Sequence, residues 1–113
     1  MNERMDILKS LVSLSDSLDE ISSGLAKFDW DYEGNPLVVK SQQIIEVLQR
    51  HISGKVDVKD IERWANMLEC REDIEFDESN EEQLENVIYC LANPELEGAI
   101  NVDLCKQFVR NLS

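Results

Sequence analysis

Apolar residues at the start of the chain recur at alternating spacings of three and four residues. They are Ile7, Leu11, Leu14, Leu18, Ile21 and Leu25, and mainly Ser, Asp, Lys and Glu lie between them. This spacing places the apolar side chains on one stripe of an α-helix, so it predicts a first helix to about Gly24. A bundle helix with one buried stripe is favoured over a coiled coil, because the seam spans only about three heptads.

The pair Asn35-Pro36 is typical of a helix start, since an Asn side chain can cap the first turn and proline has a preset φ. It predicts a second helix that runs to about Ile52, with Gly54 as its C-terminal stop. The apolar residues expected on its buried face are Val38 or Val39, Ile44, Ile45, Val47, Leu48 and Ile52.

Asp57 is a plausible N-cap for a third helix that runs to about Cys70. Its buried face is expected to carry Ile61, Trp64, Ala65 and Leu68. Trp64 is expected in the core, in preference to an interface. The following residues, 71–78, alternate polar and apolar side chains, which predicts a short extended link with Ile74 and Phe76 in the core.

Ser79 and Glu82 have the spacing of a capping box, so they predict the start of a fourth helix. Asn93-Pro94 is expected to end that helix, and Asn101 is expected to cap a fifth. The pattern therefore predicts an all-α fold, a compact bundle of about five helices in a single domain over residues 1–113.

Charge is distributed unevenly along this chain, which has 24 acidic and 11 basic residues and a net charge of −13. Residues 57–97 hold 14 of the acidic residues and only three basic ones, Lys59, Arg63 and Arg71. Such a surface repels phosphate backbones and anionic lipids, so direct binding to nucleic acid or membrane is disfavoured. A cationic protein surface is the favoured partner, and a role in solubility alone is the alternative.

Residue types that carry catalysis or hold cofactors are not grouped in the sequence. His51 is the single histidine and lies near a predicted helix end, where histidine more often interacts with the helix dipole than transfers protons. Asp29, Asp31 and Glu33 match the first ligand positions of an EF-hand loop, but Lys40 takes the place of its bidentate Glu. We therefore expect a non-catalytic protein with no metal ion and no cofactor.

The three cysteines, Cys70, Cys90 and Cys105, have long and irregular spacings among apolar residues. They are expected to be reduced core thiols. The N-terminus lacks the apolar run of a signal peptide, and no segment is apolar enough to span a bilayer. The expected compartment is the cytoplasm.

Four short stretches carry a resemblance to a known class of proteins. They are Ile52-x-Gly54, Ile61-x-x-Trp64-Ala65, Glu69-x-Arg71-x-Asp73-Ile74-x-Phe76, and Leu-Ala-Asn-Pro-Glu-Leu-Glu-Gly at 91–98. In these the sequence resembles small acidic bacterial immunity proteins, which neutralise the toxin domains of contact-dependent inhibition systems and colicin-like nucleases. The resemblance covers roughly residues 40–112. It implies a helical bundle that binds a cognate basic toxin domain, a nuclease or tRNase among the candidates, and blocks its active site.

Two groups of residues are the candidate partner-binding surface. The first is the acidic stretch, Glu69, Glu72, Asp73, Glu75, Asp77, Glu78, Glu81 and Glu82. The second is the loop Asp29, Trp30, Asp31, Tyr32 and Glu33, because aromatic residues flanked by carboxylates make good interface anchors. In the structural alternatives, Trp30 and Tyr32 cover the end of the bundle, and Arg71 forms a local ion pair with Asp73.

A competing interpretation is a non-catalytic adaptor or homo-oligomerising protein that uses an apolar face. The seam of the first helix is its main support, since a surplus apolar face could mediate a homodimer. An immunity protein is more easily a monomer when it is free, so a monomer or a weak homodimer is expected. An enzyme is disfavoured, because no residues converge on a catalytic site.

Overall fold

A computed structural model describes residues 3–28, 34–69 and 71–113. Within these ranges the elements are α1 (Glu3–Ser13), α2 (Leu18–Leu25), β1 (Leu37–Val39), α3 (Ser41–Ile52), α4 (Val58–Leu68), β2 (Ile74–Phe76), a 3₁₀ turn (Glu78–Asn80), α5 (Glu81–Ala92), α6 (Pro94–Glu97) and α7 (Val102–Leu112). The predicted all-α class is confirmed, with seven helices in the described ranges instead of about five. None of these helices is both long and apolar enough to cross a bilayer.

The described elements enclose one hydrophobic core. Helix α3 packs along α7, α4 packs along α5, and α1 contacts α2, α3 and α4. Trp64 is completely buried at the centre, and its indole N–H donates to the Leu11 carbonyl oxygen at 2.8 Å. The expectation that Trp64 belongs to the core is confirmed, and its hydrogen bond satisfies the polar group that burial would otherwise leave unpaired.

The predicted first helix is in fact two helices, α1 and α2. The break is at Leu14, which has a φ of 51°, a left-handed conformation in which an α-helix cannot continue. Arg50 donates from Nη1 to the carbonyl oxygens of Ser13 and Leu14, both at 3.0 Å, and so caps the end of α1. Ser17 starts α2, because its hydroxyl accepts the backbone N–H of Glu20 at 3.2 Å.

The apolar seam of the predicted first helix nevertheless faces inwards throughout. Its residues Leu11, Leu14, Leu18, Ile21 and Leu25 are buried, and Ile7 packs partly buried against the core. The apolar seam is thus buried within the fold of a single chain. The observation that supported homo-oligomerisation through this face is explained by packing within one chain.

The predicted second helix begins later than expected. Residues 37–39 form β1, and α3 starts at Ser41, with the backbone N–H of Lys40 donating to Gln43 Oε1 at 2.9 Å. The Asn35-Pro36 start was therefore wrong. Its physical cause is β2, which pairs with β1 in parallel and holds it extended.

The extended link predicted over residues 71–78 is confirmed at its centre, where β2 forms, whereas residues 72 and 73 lie in a turn and Glu78 begins the 3₁₀ turn. The register pairs Leu37 with Ile74, Val38 with Glu75 and Val39 with Phe76. Because side chains alternate along a strand, Ile74 and Phe76 share the face turned to the core, whereas Glu75 is exposed on the other face.

Of the other three predicted helix caps, two are confirmed and one is wrong. Asp57 caps α4 by accepting the N–H of Asp60 at 2.8 Å, and Asn101 caps α7 by accepting the N–H of Leu104 at 2.8 Å. Helix α5 begins at Glu81 without the predicted Ser79 cap, because Ser79 lies in the 3₁₀ turn. Helix α6 is an additional element that follows α5 immediately.

Candidate functional site

The predicted acidic stretch follows the chain from the end of α4 through β2 and the 3₁₀ turn into the first turn of α5. Helix α5 contacts α4, β2 and the 3₁₀ turn, so these elements form one side of the molecule. Its exposed carboxylates are Glu72, Glu75, Glu78, Glu81 and Glu82. We call these five residues the acidic ridge.

The position of each carboxylate in the acidic ridge follows from its local structure. Glu75 faces solvent because its neighbours on β2, Ile74 and Phe76, occupy the face turned to the core. Glu81 and Glu82 lie in the first turn of α5, where the helix dipole favours negative charge. Glu75, Glu81 and Glu82 are therefore presented by paired strand and helix backbone, which limits the motion of their side-chain attachment points.

The acidic ridge is not neutralised by neighbouring basic residues. Among the described residues the ion pairs are Arg4 with Asp73, Arg71 with Asp73, and Arg63 with Asp19, and none of them includes a ridge residue. Five carboxylates thus face solvent along one side. Such a surface creates a negative potential that attracts cationic partners and raises their association rate.

Asp73 belonged to the predicted binding surface, but its side chain lies in the interior with only 1% exposed. Arg4 Nε donates to its Oδ2 at 2.9 Å, and Arg71 donates to Oδ1 at 2.8 Å and to Oδ2 at 3.0 Å. The ion pair considered as the alternative for Arg71 is therefore present, and Asp73 has no accessible carboxylate to offer a partner.

The pKa of Asp73 reflects two opposed influences. Burial acts to raise the pKa, whereas the hydrogen bonds and charges of Arg71 and Arg4 act to lower it, and together the arginines prevail. The pKa lies below its ordinary value, so this carboxylate is ionised at neutral pH. Arg4 also lies over the Phe28 ring, 5.7 Å from its centroid, and thereby connects α1 to the end of α2.

Two further predicted residues, Glu69 and Asp77, are only partly exposed. Glu69 Oε2 accepts from Asn93 Nδ2 at 3.3 Å. Asp77 Oδ1 accepts the backbone N–H of Ser79 at 3.2 Å and its hydroxyl at 3.0 Å. These hydrogen bonds lower the pKa of Asp77, the backbone bond most strongly. Both residues support local structure and lie beside the acidic ridge.

The second predicted group, Asp29, Trp30, Asp31, Tyr32 and Glu33, lies outside the residues that the structure describes. The largest cavity of the described part has a volume of about 510 Å³. Phe28, Glu69 and Arg71 are among its lining residues. The charged groups in its wall are already bonded, Glu69 to Asn93 and Arg71 to Asp73.

His51 lies in the last turn of α3, as expected, and its side chain is buried. Its Nδ1 is 2.7 Å from the Val56 carbonyl oxygen, and its Nε2 is buried with no hydrogen-bond partner among the described residues. It is remote from the acidic ridge in the chain and does not line the largest cavity. In the described ranges, no group of three or more His, Cys, Asp or Glu residues is arranged to hold a metal ion.

The two cysteines in the described ranges are free thiols. Burial raises the pKa of the Cys105 thiol to about 11, and burial together with the charge of Glu97 raises the pKa of Cys90. A thiol with a raised pKa stays protonated at neutral pH and is a poor nucleophile. Cys105 is buried and Cys90 is half-buried, as core thiols were expected to be, whereas Cys70 lies outside the described residues.

One residue that shapes the site, Arg4, was not anticipated from the sequence. It reaches Asp73 across 69 positions of the chain, and no local pattern links the two.

Comparison of the chain with family models, with curated proteins and with solved structures finds no match. The geometry and charge of the residues themselves therefore indicate what the protein can bind.

Proposed function

We propose that the protein is an immunity protein, which binds a cognate basic toxin domain through the acidic ridge and neutralises it. The observation that carries this proposal is the set of five exposed carboxylates, Glu72, Glu75, Glu78, Glu81 and Glu82, none in an ion pair within the described residues. The neighbouring buried carboxylate, Asp73, is fully paired, so the fold separates structural charge from surface charge.

A nuclease or tRNase toxin must hold phosphate groups, so its active-site cleft carries positive charge. A row of carboxylates can occupy such a cleft as a substitute for the phosphate backbone. Electrostatic attraction then accelerates association, and salt weakens it by screening. The proposed neutralisation is steric and electrostatic, and it needs no chemistry from the immunity protein.

We also propose that the protein acts in the cytoplasm as a monomer, with no direct contact to nucleic acid or membrane. The resemblance of residues 40–112 to bacterial immunity proteins supports this class of partner. The alternative of an adaptor or homo-oligomer has lost its main support, because the seam from Leu11 to Leu25 is buried in the core.

The test is capture of the partner by tagged protein from the source cell, followed by washes at low and at high salt. Recovery of a basic toxin-like domain that salt releases or weakens is expected. Recovery of a salt-resistant complex, with itself or with a housekeeping protein, would contradict the proposal. Sedimentation of the free protein should give a monomer.

Charge reversal identifies the surface within the captured complex. Glu72→Lys and Glu75→Lys should each weaken binding by about tenfold, because a favourable charge contact becomes a repulsive one. Glu46→Lys is the matched control, since Glu46 is also an exposed acid and lies on α3 outside the acidic ridge. Equal affinities for all three variants would remove the ridge from the interface. Circular dichroism and the unfolding midpoint should stay unchanged, because all three side chains are exposed.

A further inference from the structure

In the two-stranded sheet, only alternate residues of each strand form backbone hydrogen bonds to the other strand. The N–H of Leu37 donates to the Asp73 carbonyl oxygen at 2.9 Å, and the N–H of Asp77 donates to the Val39 carbonyl oxygen at 2.9 Å. In a strand, successive backbone groups point to opposite edges. The backbone of Asp73, Glu75 and Asp77 is therefore turned to β1, and that of Ile74 and Phe76 is turned to the outer edge of β2.

The outer edge of β2 has open hydrogen-bonding capacity. In the part of the chain that the structure describes, no hydrogen bond reaches the N–H or C=O groups of Ile74 and Phe76. Backbone groups of this kind are strong donors and acceptors, and a row of them on a strand is a template for pairing with another chain.

The outer edge of β1 is protected by comparison. Pro36 has no N–H, and the N–H of Lys40 is already bonded to Gln43 Oε1 at 2.9 Å. Only Val38 is open between them. Proline on an edge strand is a recognised means of preventing further pairing. The sheet is thus blocked on one side and open on the other.

Charge at the open edge indicates which chain would pair with it. Glu72, Glu75 and Glu78 are exposed before, within and after β2. On the solvent face, a residue of an added strand would lie beside Glu75, and opposite charges in this position stabilise a sheet. On the other face, an apolar side chain would extend the cover over Phe76, which is only partly buried.

From this we infer that the outer edge of β2 accepts an extended segment of the partner as a third strand, a segment in which basic and apolar residues alternate. The inference rests on the proposed function for the basic character of the partner, and on the strand register for the place of contact. Backbone pairing of this kind supplies affinity, while the alternating side chains supply specificity.

The first experiment is amide hydrogen exchange of the free full-length protein, followed by NMR. The amides of Ile74 and Phe76 should exchange faster than those of Glu75 and Asp77, which donate to β1. Equal protection of all four amides would mean that the outer edge of β2 is already covered, and it would overturn the inference.

The second experiment adds a probe peptide, an acetylated and amidated hexamer of alternating lysine and valine. At saturation, exchange of the Ile74 and Phe76 amides should slow by at least about tenfold, since each gains a strand hydrogen bond. The Val38 amide, on the opposite edge, should stay unchanged. Two control peptides carry backbone N-methyl groups, one peptide at its odd-numbered residues and the other at its even-numbered residues. Neither should have such an effect, because methylation removes the N–H groups that would pair with the strand. Absence of slowing, or the same slowing with the methylated peptides, would overturn the inference.

Charge is tested with the same peptide. Glu75→Lys should weaken peptide binding by about three- to tenfold, while Glu46→Lys should leave it unchanged. If Ile74 and Phe76 become protected as the free protein is concentrated, the edge pairs with a second copy of the chain, which contradicts the inferred partner.

Failure of the inference and failure of the proposed function are distinguishable. A captured toxin domain that requires the acidic ridge but leaves the Ile74 and Phe76 amides in fast exchange would refute strand addition alone. Peptide pairing at β2, combined with a captured partner that is indifferent to ridge charge, would support the edge site and refute the immunity proposal.

Discussion

The pairing of Asp73 with two arginines should be a major contributor to folding stability. The side chain is 1% exposed, while those of Arg4 and Arg71 are 11% and 19% exposed. Asp73→Asn keeps the shape of the residue but removes its charge. The two arginines, on α1 and beside β2, then lose the carboxylate that they share.

The expected loss is about 3 kcal/mol of unfolding free energy. Removing one partner of a buried ion pair costs roughly 3–5 kcal/mol. The lower end applies here, because both guanidinium groups keep some contact with water and Asn can still accept one hydrogen bond. With about 2.1 cal/mol/K of unfolding entropy per residue, this loss lowers Tm by about 12 °C for a chain of this length.

Urea unfolding followed by tryptophan fluorescence measures the loss, and Glu72→Gln is the control. Glu72 is the adjacent acid but is exposed and unpaired in the described structure, so its substitution should change stability by less than about 0.5 kcal/mol. If Asp73→Asn matched this control, the ion pairs would contribute nothing to stability and the reasoning would be refuted.

The effect should also depend on pH in a definite direction. The folded-state pKa of Asp73 lies below its ordinary value of 3.8, so its stabilisation is fully present above that value. It is lost as the pH falls from the ordinary pKa to the lowered one, because the unfolded state then binds a proton that the ion-paired carboxylate of the folded state does not. The stability difference between wild type and Asp73→Asn should therefore be constant from pH 7 to about pH 5 and shrink below about pH 4.

Substitutions at two further residues, Trp64 and Ser17, test the packing of the N-terminal helices. Trp64→Phe should cost about 1–3 kcal/mol in urea unfolding, since it removes the indole N–H and leaves the buried Leu11 carbonyl unpaired; a loss no larger than that of an exposed substitution would contradict this role. Ser17→Ala should cost about 1 kcal/mol by removing the cap of α2, whereas Ser17→Asp should retain it. Unchanged stability of Ser17→Ala would show that tertiary contacts alone fix the start of α2.

Some features of this fold are determined by short stretches of sequence. The caps at Asp57 and Asn101 are local, since each side chain bonds a backbone N–H three residues later. The alternation around Ile74 and Phe76 likewise predicts an extended segment. The start of α2 was readable too, because Ser17 and Glu20 have capping-box spacing. The apolar spacing does not reveal this start, because the seam continues across the break between α1 and α2, and both helices bury the face that carries it.

Other features depend on residues far apart in the chain. The segment 37–39 is compatible with a helix start when taken alone, and it becomes a strand only because β2 pairs with it. Parallel pairing needs a long crossover, here α3 and α4, so no local pattern encodes its register. The end of α1 is similarly fixed by Arg50, which reaches it from α3.

The candidate site likewise has features set by the local sequence and features set by residues far apart in the chain. The order of residues alone determined that most of the net negative charge lies in residues 57–97, because charge is a property of each residue and needs no fold. Only the tertiary structure decided which carboxylates are available. The Asp73 carboxylate is buried and bonded to Arg4, which lies 69 positions away in the chain. Glu75, only two residues after Asp73, is exposed. Burial depends on the approach of distant elements, so the sequence by itself could not separate the two.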